Sequence, residues 1–251
     1  MSLPKVVIFQ EDEKSINYKW NLPEGSDFNR KPIAVRSFEY DKDTFLKENE
    51  VIIANKNFDL DTVFYLHPNR DNVYIEQSKF EDYIFKEKIL RYIQMAQKLG
   101  AKKANLTAEL LETRELEINA NGSVEYKVVK LEGEFKKEVE EKFKETYINN
   151  NEYKPSENYD LAKNYKEALE WIDRENLFFD QDLIHFVKSR NPEIGNLLSK
   201  QELKTQLTQD TNQLLEISAS LTVGPIFKLK GGFRESVSRQ KDLLLKIELE
   251  F

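Results

Sequence analysis

The sequence predicts an α+β fold: a largely antiparallel, twisted β-sheet with helices at about 78–99, 158–173 and 180–190 packed on one side. Three observations predict it. Short apolar runs of strand length fill the first part of the chain, an alternating ribbon covers 106–135, and the helical segments carry apolar side chains at spacings of three and four. Because strand-like and helical segments are grouped along the chain, an antiparallel sheet is favoured.

Four apolar runs predict strands before the first helix. They begin at Val6, Ile33, Val51 and Val63, and each combines β-branched or aromatic side chains with flanking polar turns. The runs are continuous and not alternating, which indicates strands that are covered on both faces.

The segment 78–99 shows the clearest helical pattern. Ser78 and Glu81 match a capping box, in which each side chain binds a backbone amide at the helix start. Gly100 is predicted to end the helix in the left-handed conformation. The apolar stripe between these signals comprises Phe80, Ile84, Phe85, Ile89, Tyr92, Ile93, Ala96 and Leu99. Its width predicts that the helix packs on a sheet.

The ribbon over 106–135 predicts the central β-hairpin of the sheet. Apolar and polar residues alternate on both sides of Asn121-Gly122, a dipeptide that favours a type I′ turn. The apolar phase changes near Val128-Val129, which predicts a β-bulge that bends the ribbon.

Downstream of the hairpin, apolar residues recur at every fourth position over 135–147. Strong helix formers and pairs such as Glu138 with Lys142 favour a helix there, with an extended strand as the alternative. The Asn-rich segment 148–158 is the best linker candidate. Asp180 is a candidate N-cap for the last of the three helices.

The region 200–223 is compatible with either a helix or a strand. The alternation of Leu215, Ile217 and Ala219 predicts a strand, whereas Leu214 and Ile217 have helical spacing. A regular alternation from Leu243 to Phe251 predicts a terminal strand that is paired inside a sheet.

A short strand is predicted over 226–233. It ends in Gly231-Gly232, which lies beside Lys228, Lys230 and Arg234 in the pattern of an anion-binding nest. A hairpin turn is the favoured interpretation of the two glycines.

The chain is expected to form a single α+β domain over 1–251. The alternative is a division near 148–158. It would separate a strand-rich part with one long helix, 1–150, from a helical pair with C-terminal strands, 158–251.

Composition excludes several classes of protein. The net charge of −7, with 45 acidic and 38 basic residues, argues against a nucleic-acid-binding face. The chain has no cysteine, which rules out disulfides and thiolate chemistry. Without a signal-peptide pattern or an apolar run of about 18 residues, a cytoplasmic location is expected.

No residue set predicts a catalytic, cofactor-binding or metal-binding site. His67 and His185 are the only histidines, and partly buried structural roles are favoured for both. The acidic clusters Glu11-Asp12-Glu13 and Asp59-Leu60-Asp61 lack the pattern of a calcium loop and are interpreted as solvated turns. Lys102-Lys103 fits the C-terminal end of a helix.

The leading hypothesis is a cytosolic, non-enzymatic protein that acts through contacts with a protein partner or by self-association. It depends on the missing nucleophile, metal-ligand and phosphate-loop signatures. The alternatives are a membrane-acting or pore-forming effector, whose amphipathic β-hairpins at 104–131 and 215–251 insert after assembly, and a carboxylate-based hydrolase. No cofactor is expected, and a membrane partner is expected only for the effector.

Overall fold

The computed structural model describes residues 3–12, 33–54, 59–120, 123–130, 133–148, 151–154, 159–195, 197–219 and 237–251. Within these ranges the chain forms six helices and two sheets, one mixed and one antiparallel, which confirms the predicted α+β fold. The expected single sheet is thus two sheets, and one of them contains parallel pairs.

The strands are β1 Val6–Gln10, β2 Ile33–Ser37, β3 Ile52–Ile53, β4 Thr62–Leu66, β5 Val73–Glu76, β6 Lys103–Ile118, β7 Val124–Val129, β8 Asn151–Glu152, β9 Lys200–Gln206 and β10 Arg239–Glu250. The helices are α1 Lys42–Glu48, α2 Gln77–Lys98, α3 Gly133–Tyr147, α4 Leu161–Arg174, α5 Gln181–Ser189 and α6 Gln209–Ala219, with a 3-10 turn at Pro192–Ile194.

The chain divides into two compact units of three segments each. The first unit comprises Met1–Tyr83, Thr113–Val129 and Thr208–Lys241, and the second comprises Ile84–Glu112, Lys130–Leu207 and Asp242–Phe251. The single-domain organisation expected from the sequence stays a prediction. Part of the candidate linker, 149–150 and 155–158, lies outside the described residues.

The first unit contains the mixed sheet, with strand order β2-β1-β4-β5-β3. The four predicted strands are confirmed, and β1 pairs in parallel with β2 and antiparallel with β4. Edge-to-face contacts of Phe45 with Phe9 and Tyr74, at 5.9 and 5.8 Å between ring centroids, build part of its core. Sequence analysis missed β5 and α1. Seven residues with one buried side chain, Phe45, are too few to show a helical period.

The predicted helix 78–99 is confirmed as α2, Gln77–Lys98. It begins before Ser78, whose hydroxyl donates to the carboxylate of Glu76 at 2.7 Å. Ser78 therefore lies inside the first turn, and the predicted capping box with Glu81 is wrong. The predicted left-handed stop is confirmed, since Gly100 has a φ of +90°.

The predicted hairpin is confirmed as the antiparallel pair β6–β7. Its expected central position is wrong for β7, which lies at the edge of the sheet in the order β7-β6-β10-β9. The register of the pair runs without interruption from Ile118–Val124 to Thr113–Val129, so the bulge predicted near Val128-Val129 is wrong. The apolar phase changes there because the chain leaves the sheet and enters α3, which also confirms the helix favoured for 135–147 and contradicts the strand alternative. The turn at Asn121-Gly122 lies outside the described residues.

The region left open by the sequence contains a strand, β9, followed by a helix, α6. The strand interpretation of 215–219 is wrong. Leu214 and Ser218 are both buried at helical spacing, and Asp210 occupies the first turn, where acidic residues stabilise a helix. The hairpin postulated over 215–251 therefore does not begin at 215. Residues 220–236, with the predicted strand 226–233 and its two glycines, lie outside the described residues.

The second unit is built on the terminal strand predicted from Leu243. This strand, β10, pairs antiparallel with β9, with Ile247 opposite Leu203. The predicted helices 158–173 and 180–190 are confirmed as α4 and α5. Fully buried side chains from the helices and strands fill its core: Tyr92, Met95, Leu99, Leu110, Leu183, Phe186, Val187, Leu245 and Ile247.

Candidate interaction groove

An open groove of about 460 Å³ runs between α2 and α4 in the second unit. Helix α4 starts at Asp160, whose carboxylate accepts hydrogen bonds from the amides of Ala162 and Lys163 at 2.9 and 3.2 Å. It buries Ala168 and Ile172 in the core, which leaves its opposite side for the groove. The side chains that line the groove are Gln94, Met95, Lys98, Glu167, Glu170, Trp171 and Arg174.

The apolar part of the groove consists of Met95 and Trp171. Met95 is fully buried and Trp171 is half-buried, so that part of the indole remains open to solvent. A thioether adapts its shape to different neighbours, and an indole offers a large apolar face with one polar donor. Both are side chains that protein interfaces favour.

The charged rim of the groove contains two ion pairs and one carboxylate outside them. Lys98 donates to Glu167 at 2.5 Å, and this contact lowers the pKa of the Glu167 carboxyl. Arg174 pairs with Glu175 at 3.2 Å. Glu170 makes no ion pair among the described residues, so its carboxylate is available to a cation of a partner.

Two adjacent phenylalanines follow α4 in a short loop. Asn176 turns the chain with a φ of +53°. The amide of Leu177 donates to the Ile172 carbonyl at 2.9 Å, and the Leu177 side chain is buried in the core. Phe178 and Phe179 are consequently directed outward and remain 52% and 44% exposed. Asparagine tolerates the left-handed region better than most residues, which explains its place in this turn.

The loop ends at Asp180, which is 6% exposed and caps α5. Its carboxylate accepts hydrogen bonds from the Leu183 amide at 3.1 Å, the Tyr92 hydroxyl at 2.8 Å and the Arg91 guanidinium at 3.5 Å. Burial, with the charge of Asp180, raises the pKa of Tyr92, so its hydroxyl stays a donor. These bonds attach the loop to α2.

The phenylalanine loop lies at the end of the groove. The Arg91 guanidinium stands over the Phe179 ring, 5.5 Å from its centroid. Arg91 precedes Met95 by one turn of α2, and Arg174 precedes the loop on α4, so both walls of the groove lead to Phe178 and Phe179. We call the lining side chains together with these two phenylalanines the α2–α4 groove.

The residues singled out in the sequence lie elsewhere. His67 is buried, and its Nδ1 accepts from the Asn69 amide at 3.1 Å, which accords with a structural role. His185 is exposed on α5, so the expectation of partial burial is wrong for it. Lys102 and Lys103 follow Gly100, and the Lys102 amide donates to the Glu250 carbonyl at 2.6 Å.

The fold brings parts of the two acidic clusters to the C-terminal end of β1, which is an inner strand of the mixed sheet. The Asp61 amide donates to the Phe9 carbonyl at 2.9 Å. Asp12 follows in the chain just beyond the end of β1. The Asp12 carboxylate in turn accepts a hydrogen bond from the Ser37 hydroxyl. In the part of the chain that the structure describes, no three acidic or histidine side chains are grouped as a metal ion would require.

Comparisons with protein-family models, curated proteins and solved structures find no match to this chain. Among the helices of the described ranges, none combines the length and the apolar character needed to cross a membrane. The cytoplasmic location stays a prediction.

No pattern in the sequence predicts this groove. One local signal was present, since Phe178-Phe179 stand between two predicted helices and directly before the candidate N-cap Asp180. Such a position indicates a short loop, which usually lies on the surface. The approach of Trp171 to Met95 depends on how α2 and α4 pack.

Proposed function

We propose that the protein is a non-enzymatic, protein-binding protein whose α2–α4 groove takes a basic, amphipathic segment of a partner. The observation that carries the proposal is the pair of half-exposed phenylalanines, held by buried anchors beside a groove with one carboxylate that makes no ion pair among the described residues. Aromatic side chains supported by a rigid frame are the usual centres of binding energy in protein interfaces.

The apolar contacts supply a substantial part of the affinity. A phenylalanine buries roughly 150–250 Å² when fully covered, so each half-exposed ring leaves about 100 Å² for a partner. At about 25 cal/mol per Å² this corresponds to about 2 to 3 kcal/mol for each ring. Because Leu177 and Asp180 already hold the loop in place, little conformational entropy is lost on binding.

Charge selects the partner. Glu170 makes no ion pair among the described residues, and the whole chain has a net charge of −7, so a lysine or arginine on the partner is favoured. Long-range attraction between the acidic protein and a basic segment accelerates association and weakens as salt is added.

The proposal is tested by titrating two peptides into the protein with Trp20 replaced by phenylalanine, so that Trp171 is the single indole. One peptide is an amphipathic helix of leucine and lysine, and the other has glutamate in place of lysine. We expect a saturable change of Trp171 fluorescence with the basic peptide only, weakened by added salt. Equal binding of both peptides, or no binding of the basic one, would contradict the proposal.

Charge reversal of Glu170 should weaken binding of the basic peptide by about tenfold, which corresponds to about 1.4 kcal/mol. The matched control is Asp173→Lys, which changes the net charge equally on the same exposed helix but does not line the groove. We expect Asp173→Lys to change the dissociation constant by less than about twofold. The fluorescence titration measures both, and an equal loss in the two variants would show that only the net charge matters.

Replacement of Phe178 and Phe179 by serine should weaken peptide binding by at least about tenfold. The free energy of unfolding should fall by about 1 to 2 kcal/mol for each ring, because about half of each ring is already buried in the fold. Serine at Ile194 and Leu198, which are 60% and 61% exposed outside the groove, is the control. Titration and urea denaturation provide the two measurements.

A second copy of this chain is the competing occupant of the groove. Sedimentation velocity of the full chain over a range of concentrations distinguishes it. A dimer that forms through the groove, and that the serine variant of Phe178 and Phe179 abolishes, would replace the basic partner by a second copy of this chain.

A further inference from the structure

Lys98 and Glu167 form an ion pair that connects the two helices of the α2–α4 groove. The Lys98 Nζ atom lies 2.5 Å from Glu167 Oε2, and the two residues are 69 positions apart in the chain. Both side chains line the groove, and they are 33% and 41% exposed. The pair is therefore an internal contact on the surface that the proposed function assigns to a partner.

The ion pair at the loop end of the groove is built differently. The side chains of Arg91 and Asp180 are only 10% and 4% exposed, and Asp180 also accepts from the Tyr92 hydroxyl at 2.8 Å. Separating a buried charge from its partner is costly, because the charge is left without solvent or counter-ion. An exposed pair contributes little, because water and salt screen it and two long side chains lose freedom. Lys98 can therefore leave Glu167 at low cost, whereas Arg91 stays with Asp180.

Glu167 is a carboxylate that a basic partner could use if Lys98 were absent. Glu167 and Glu170 are three residues apart on α4, so they lie on one side of the helix, about 4.5 Å apart along its axis. Glu170 makes no ion pair in the part of the chain that the structure describes, whereas Glu167 is occupied by Lys98. A partner with two cations one helical turn apart thus finds one open carboxylate and one occupied carboxylate.

The Lys98 side chain is suited to an exchange of partners. Its ammonium is a compact charge on a flexible four-carbon stem, so it can turn toward water while the backbone of α2 stays in place. Lys98 is also the basic residue in the last turn of α2, where the helix dipole favours a cation. The released ammonium therefore remains in a favourable electrostatic environment.

We propose that Lys98 is an internal competitor of the basic partner: it occupies Glu167 in the free protein and leaves this carboxylate to a lysine or arginine of the bound segment. Binding then exchanges one ion pair for another at Glu167 and forms a new pair at Glu170. The inference rests on the proposed function of the groove. It adds that the groove limits its own affinity, so that removal of the Lys98 charge strengthens binding.

The test is the Trp171 fluorescence titration of the full chain carrying Trp20→Phe, with the peptide of leucine and lysine. We expect Lys98→Gln to strengthen peptide binding by about tenfold, because Glu167 is then open as well as Glu170. Lys98→Arg should weaken binding by about twofold to threefold. A guanidinium binds a carboxylate through two parallel hydrogen bonds and is therefore harder to displace than an ammonium.

The matched control is Lys137→Gln. It removes the same charge and also breaks an exposed ion pair, since Lys137 lies 3.8 Å from Glu141 on α3, but neither residue lines the groove. We expect Lys137→Gln to change the dissociation constant by less than about twofold. Lys98→Gln should shift the melting temperature by less than about 4 °C, because the pair that it removes is exposed.

A carboxyl titration followed by NMR shows whether the partner takes the place of Lys98. The contact with Lys98 holds the pKa of the Glu167 carboxyl below its usual range in the parent chain. In Lys98→Gln this pKa should rise toward its ordinary value, and saturation with the peptide should lower it again. A merely structural role of Lys98 would not produce the second change.

The results distinguish a failure of this inference from a failure of the proposed function. If the peptide binds, but Lys98→Gln strengthens binding no more than Lys137→Gln does, the role of Lys98 is refuted and the groove remains a peptide site. The same conclusion holds if saturating peptide leaves the pKa of Glu167 in Lys98→Gln unchanged. If the peptide binds neither the parent chain nor Lys98→Gln, both proposals are wrong.

Discussion

Replacing Asp180 by alanine is expected to lower the free energy of unfolding by about 3 kcal/mol. The change removes an N-cap, which contributes about 1 kcal/mol, and takes away the carboxylate that accepts from the buried Tyr92 hydroxyl. Arg91 forms ion pairs with Asp180 and with Glu87, and after the change only the pair with Glu87, at 3.2 Å, remains. Urea denaturation measures the loss, and the melting temperature should fall by about 6 to 12 °C.

Two further variants separate the parts of this effect. Asp160→Ala removes the N-cap of α4, which is exposed and makes no contact with a buried charge, so it should cost about 1 kcal/mol. Asp180→Asn keeps an acceptor oxygen and loses the charge, so an intermediate cost of about 1 to 2 kcal/mol is expected. Equal losses for Asp160→Ala and Asp180→Ala would show that the Tyr92 and Arg91 contacts do not stabilise the fold.

Gly100→Ala is expected to lower the free energy of unfolding by about 3 kcal/mol as well. Gly100 has a φ of +90°, where a side chain costs roughly 1 to 2 kcal/mol. A Cβ atom at this position would in addition overlap the phenol ring of Tyr159, which would have to move. Overpacking of this kind costs about 1 to 3 kcal/mol. Denaturation followed by circular dichroism provides the measurement.

Two other glycines separate the two causes. Gly195 also has a positive φ, of +81°, but a Cβ there meets no atom within 4 Å, so Gly195→Ala should cost only about 1 kcal/mol. Gly133 does not have a positive φ, and a Cβ atom there would have no neighbour within 4 Å, so Gly133→Ala should be neutral or slightly stabilising. If Gly195→Ala costs as much as Gly100→Ala, the contact with Tyr159 has no effect on stability.

The elements that sequence analysis located are those with a local cause. Helix α2 shows its apolar stripe over six turns, and Gly100 marks its end because a left-handed residue is needed there. The terminal strand β10 could be predicted equally well, since buried and more exposed side chains alternate with a period of two up to its last residues. In each case the pattern within one segment specifies the backbone conformation.

The errors arise where two conformations share one pattern. Leu215, Ile217 and Ala219 alternate as in a strand, yet the buried positions Leu214 and Ser218 place them in α6. At Val128-Val129 the change of phase marks the end of a strand, with α3 starting four residues later, and not a bulge within it. A short segment contains too few residues to distinguish these cases.

The binding surfaces depend on contacts between residues distant in sequence. Asp180 meets Tyr92 across 88 positions, and Tyr126 donates to the Val237 carbonyl across 111 positions. The periodicity of the sequence does not show that α2 lies beside α4, or that Glu170 makes no ion pair in the part of the chain that the structure describes.

The amino-acid order thus specifies the α+β class, most helices and strands, and the left-handed end of α2, because hydrophobic period and turn chemistry act over a few neighbouring residues. The pairing of strands into two sheets and the α2–α4 groove with Phe178 and Phe179 arise only when the chain packs. Packing decides which side chains are covered and which charges lack a partner, and these are the properties on which binding depends.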